Sequence, residues 1–212
     1  MGMRFGLVAV KADVAQLVEA FSAAWPHAEF KKRADVVGLL ALDSWMEANA
    51  RYVSASKWTP DNPEVDAYGF WQDGEWAILL DFHLLASSDT ERLAVLSERL
   101  GRVLAFNIET TSATALFWQF DGGRVSRHIR FLDGDMHVEG ERLPQEDGLP
   151  TDRFYMSELQ DLQRAFAITL LSELPDDKPM QGMAFVDRTD YSEATTEVAT
   201  APPSGKPWWR IW

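Results

Sequence analysis

Asp133, Asp135, His137, Glu139 and Glu141 alternate along the chain, and if that stretch runs as a strand they project from one side of it. Carboxylates with one imidazole are a donor set suited to a divalent cation. Asp135, His137 and Glu139 are therefore a candidate metal site, and a metal-dependent enzyme is the alternative reading of function. The interleaved Met136 and Val138 face the other way, the pattern of a half-buried edge strand with a solvated outer face. Asp133-Gly134-Asp135 lacks the further ligands of a twelve-residue calcium loop. Asp81 and His83 form a second pairing, on the same face of an extended segment. That spacing could serve a proton relay or two metal ligands, though it more often marks a structural hydrogen bond. No GxSxG or HExxH pattern occurs, nor a glycine-rich phosphate loop. No catalytic residue and no cofactor is assigned, and the acids are taken as a surface for a protein partner.

Charge supports that choice. The formal net charge is −13, and between 132 and 177 twelve acids stand against Arg142, Arg153 and Arg164. Such a surface repels nucleic-acid backbones and anionic membranes and attracts basic proteins. Asp133, Asp135, Glu139, Glu141, Glu146 and Asp147 are the expected contact acids. Trp58, in a polar loop with Pro60 and Pro63, is the tryptophan expected to lie exposed and to anchor the contact. The chain has no cysteine, which excludes disulfides and thiolate sites and suits a reducing cytoplasm. No run approaches the ~20 apolar residues that span a bilayer, and residues 1–11 lack a signal-peptide cleavage pattern.

The elements that must position these groups are legible in part. Residues 67–81 predict a hairpin around Asp73-Gly74, with Gln72 and Glu75 facing each other and a nearly continuous apolar second arm at the centre of a sheet. A strand at 4–10 precedes a helix capped by Asp13 and closed before Pro26. Residues 29–35, strongly charged, predict a loop, and 36–42 read either as the first turns of a helix or, the preferred reading, as a strand followed by a helix from Asp43. A helix from Ser87 or Ser88 ends at Gly101, and a meander of short strands spans 103–139 with turns at Gly122-Gly123 and Asp133-Gly134. Ser157 with Gln160 predicts a capping box for a last helix. The sum is an α+β domain over residues 1–174, a mainly antiparallel sheet packed by helices. Residues 175–212 are expected as an extended tail ending in Trp208, Trp209 and Trp212, which docks on its own domain or else on a partner or a second copy.

The stretch from Phe70 to Asp81, the run from Leu93 to Phe131 and the segment VEGERLPQEDGLP together resemble bacterial α+β proteins of the toxin-immunity type. The likeness covers about half of the chain and rests on fold-forming residues: a strand ending in aspartate, a helix with a Leu-Ser pair, an Asp-Gly turn. It implies a cytoplasmic, non-enzymatic protein that neutralises a toxin by binding it, and it assigns no catalytic residue.

Overall fold

The computed structural model describes residues 3–53, 57–59 and 61–188. Its central strand, β1 (Arg4–Val10), is buried at every position from Gly6 onward because helices cover both faces of the sheet. The other strands are β2 (Ala28–Val37), β3 (Val65–Asp73), β4 (Trp76–Asp81), β5 (Val103–Glu109), β6 (Thr114–Asp121), β7 (Arg124–Leu132), β8 (Asp135–Gly140) and β9 (Pro179–Asp187). They run across one antiparallel sheet in the order β2-β9-β3-β4-β1-β5-β6-β7-β8. Helices α1 (Val14–Ala24) and α3 (Thr90–Leu100) pack on one face. On the other lie α2 (Leu39–Asn49) and α4 (Met156–Ala165). The fold is thus α+β with an antiparallel sheet, and the expected hairpin, β3–β4, lies beside its centre.

Local signals explain the elements they reach. Asp13 Oδ1 accepts from the Gln16 N–H at 2.8 Å while Gln16 Oε1 accepts from the Asp13 N–H at 3.1 Å, a complete capping box for α1. Asp89, not Ser87 or Ser88, caps α3, its Oδ1 accepting from the Arg92 N–H at 3.1 Å. α4 starts at Met156, so that Ser157 lies inside its first turn and Glu158 rather than Gln160 reaches back to the Tyr155 N–H at 3.0 Å. The hairpin turn sits one residue later than expected. Asp73 pairs with Trp76, so Gly74 and Glu75 make the turn, and Gly74 supplies the positive φ (58°) needed at its first position. Asp73 is thereby turned inward, where it accepts from the Thr169 N–H at 2.6 Å and from Thr169 Oγ1 at 3.0 Å.

Three further expectations need correction. The charged stretch 29–35 is not a loop but most of β2, an edge strand whose side chains are largely exposed. The helix after it begins at Leu39 rather than Asp43, straight after Gly38, whose φ of 83° breaks the strand. The domain does not end at 174: Pro179–Asp187 is β9, paired on both sides, between β2 and β3. The part of the expected tail at 189–212, with its three tryptophans, lies outside the described residues.

The reason β9 can be interior is steric. Gly182 sits directly opposite Gly69 on β3, and α2 lies down on both. A Cβ at Gly182 would fall 2.2 Å from the Trp45 ring, and one at Gly69 2.5 Å from Leu42. We expect Gly182→Ala to lower stability by about 1–3 kcal/mol, the usual cost of overpacking. The check is the urea midpoint at unchanged far-ultraviolet circular dichroism. An unmoved midpoint would mean that α2 lifts freely.

Candidate interaction surface

The last hairpin of the sheet, β7–β8, carries Asp133, Asp135 and Glu139, half of the contact acids singled out from the sequence. Asp133 and Gly134 both have positive φ, 48° and 92°, and form a two-residue turn closed by Leu132 and Asp135. That turn ends the alternation, so Asp133 does not share the strand face. Gly140, at φ 82°, ends it again before Glu141. Asp135, His137 and Glu139 alone share the face, and all three are exposed. His137 Nε2 and Glu139 Oε1 are 2.8 Å apart, and this bond holds the Glu139 carboxyl below the usual range. Among the described residues no hydrogen bond or ion pair joins Asp135 to that pair. Among the described residues no three His, Asp or Glu converge to hold a metal ion. The structure therefore does not gather Asp135, His137 and Glu139 into the candidate metal site.

Glu146 is not a surface acid. It is 3% exposed, and Arg127, 5% exposed, grips it bidentately: Nε to Oε1 at 2.7 Å and Nη2 to Oε2 at 2.6 Å. The same guanidinium donates to the Gly140 carbonyl at 2.7 Å. Arg142 is also consumed internally, donating to the carbonyls of Glu146 and Leu149 at 2.7 and 2.8 Å. Two of the nearest cations thus serve the chain's own folding. Asp133, Asp135, Glu141 and Asp147 are left exposed with Glu139, and Arg130 across the ladder is an exposed cation among them.

Trp58 does not join this surface. It lies in the connection between α2 and β3, half-buried rather than exposed. β3 is six strands from β8 along the sheet, on the order of 29 Å at the usual strand spacing.

Sequence reasoning missed two features here. His128, opposite Glu139, stacks on Trp118 with ring centroids 5.0 Å apart and planes 2° from parallel. Burial pushes its pKa down, against an upward pull from Glu139. Only the alternation of Trp118, Gln119 and Phe120 hinted at a sheet face. On the opposite face a groove of about 330 Å³ runs beside β8, lined by Ile129, Met136, Val138, Leu149, Pro150 and Phe154, with the Arg127–Glu146 pair also in its wall.

Asp81 and His83 take a different arrangement from the one expected. Asp81 ends β4, and the chain turns at once, so that the His83 backbone N–H, not its ring, meets Asp81 Oδ1 at 3.0 Å. The imidazole lines a separate cavity of about 220 Å³ with Arg4, Asp43 and Glu47.

Compared with protein-family models, curated proteins and solved structures, the chain finds no match in any of the three. No helix among the described residues is long and apolar enough to cross a membrane.

Proposed function

We propose that this chain is a non-enzymatic binding protein of the toxin-neutralising type, whose acidic β7–β8 corner receives a basic protein domain. The observation that supports it is the exposed set Asp133, Asp135, Glu139, Glu141 and Asp147, left without Arg127 and Arg142 because those cations are spent on Glu146 and on backbone carbonyls. An acidic corner on a chain of net charge −13 speeds encounter with a cationic partner and disfavours anionic ones. The absence of cysteine fits work in the reducing cytoplasm, where an immunity protein would meet an incoming toxin.

The partner this function requires is a basic secreted protein encoded beside this chain's own gene. Its toxic domain should form a tight complex with this chain. Reversing Asp135, Glu139, Glu141 and Asp147 to lysine should slow association by about tenfold or more and flatten its dependence on salt. The fold should be unchanged, since all four side chains are exposed. The check is stopped-flow association across ionic strengths. Association indifferent to both the reversal and salt would sink the proposal.

A further inference from the structure

β8 is a sheet edge. In a two-residue hairpin the closing pair, Leu132–Asp135, exchanges hydrogen bonds, and so by alternation do Arg130–His137 and His128–Glu139. Met136 and Val138 must therefore turn their backbone N–H and C=O away from β7, toward the open edge. No described residue bonds to those groups. The free edge stops at Gly140, whose carbonyl is taken by Arg127.

The two sides of this edge differ in chemistry. On one side Met136 and Val138, the latter 41% exposed, border the apolar groove with Ile129, Leu149 and Phe154. On the other stand Asp135, His137 and Glu139. A strand laid along β8 would put alternate side chains on alternate sides. Those opposite Met136 and Val138 would enter the groove. Its 330 Å³, at roughly 30 Å³ per water-sized group, holds about two aliphatic side chains. The intervening ones would lie against carboxylates.

We propose that β8 is a docking edge for an extended partner segment in which apolar residues alternate with lysine or arginine, added to the sheet as a tenth strand. This rests on the acidic-surface function above and specifies how the partner is held. Backbone bonds would supply affinity, the groove and the acids selectivity. Two copies of this chain do not suit each other through β8, because antiparallel β8–β8 pairing would set rows of Asp135 and Glu139 together.

The probe is a synthetic peptide alternating valine with lysine over about eight residues, added to the full chain labelled with nitrogen-15. The Met136 and Val138 amide signals should shift, and their hydrogen exchange should slow by about tenfold or more at saturation. Replacing the peptide's lysines by glutamate should abolish binding. N-methylating its β8-facing amides, or making Glu139→Lys, should weaken binding by about tenfold, equivalent to about 1.4 kcal/mol. Val138→Pro removes an outward N–H and spares the ladder to β7, so it should fold normally and lose the peptide. If Val138→Pro unfolds, the N-methylated peptide on the unaltered chain decides the same question.

Weakening by Glu139→Lys with indifference to N-methylation would remove the docking edge and leave the acidic surface standing. Indifference to both would remove both. No shift at Met136 and Val138 up to millimolar peptide would overturn the proposal. So would association of the chain with itself in the absence of peptide, which would assign the edge to the basic β2 of a second copy, with its Lys31, Lys32 and Arg33.

Discussion

Replacing Arg127 by methionine should lower the unfolding free energy by about 3–5 kcal/mol, the range for removing one partner of a buried ion pair. Glu146 would stay 3% exposed, keeping of its present partners only the Leu143 N–H, which donates to Oε1 at 3.1 Å. The Gly140 carbonyl would lose its donor as well. The double variant Arg127→Met with Glu146→Leu should recover much of this loss, because the isolated buried charge is gone and an apolar pair of similar volume takes its place. It should not recover all of it, since Gly140 still lacks its donor. Urea denaturation of the wild type, both singles and the double gives the coupling directly. A single variant within about 0.5 kcal/mol of wild type would show that segment 141–150 is held by something else. Arg127 and Glu146 also line the groove beside β8. Partner binding should therefore weaken in the single variant before global unfolding, and because losing Arg127 makes the corner more acidic, that weakening cannot come from lost attraction for a cationic partner.

That pair shows where sequence reading stops. Arg127 and Glu146 are 19 positions apart, and nothing in their spacing distinguishes Glu146 from its exposed neighbours Asp147 and Glu141. Burial of an acid is decided by which cation the topology brings to it, and that is a property of the whole hairpin. The same limit hid β9. Its Gly182 and Ala184 weaken the apolar signal of a strand, yet Gly182 is small because Trp45, from α2, occupies the space above it. β2 was obscured for the opposite reason: an edge strand is solvated and can be as charged as a loop. What could be read was local. Asp13 and Gly101 act within one helical turn of their own position, and Gly122-Gly123 and Asp133-Gly134 set two tight turns by backbone conformation alone. Even there a single residue mattered. Moving the first hairpin's turn from Asp73-Gly74 to Gly74-Glu75 sends Asp73 from the turn to a buried contact with Thr169.

Asp81→Ala should be the other severe substitution, at about 3–5 kcal/mol. Asp81 is 1% exposed and accepts four hydrogen bonds: the His83 N–H at 3.0 Å, the Ala86 N–H at 2.8 Å, and the Ser87 N–H and Oγ at 3.0 and 3.1 Å. These bonds fold the loop from β4 to α3 back on itself and hold Leu84 at a φ of 59°. Without the carboxylate, three backbone donors lose their acceptor at roughly 1–3 kcal/mol each, less whatever water reaches as the loop opens. Asp81→Asn is the milder companion: its amide oxygen can serve Ala86 and Ser87, while its NH₂ would face the His83 donor. The Asn variant also isolates titration. Burial pushes the Asp81 carboxyl up, against lowering by the Ser87 and His83 backbone N–H groups. A carboxyl with a raised folded pKa contributes its stability in protonated form, in full below the ordinary value of about 4, and loses it as pH rises through the folded value. The advantage of wild type over Asp81→Asn should accordingly shrink as pH is raised from about 4, measured by urea midpoints of both proteins at each pH. An advantage that grows with pH would mean that the four donors outweigh burial and that the loop is built around the anion.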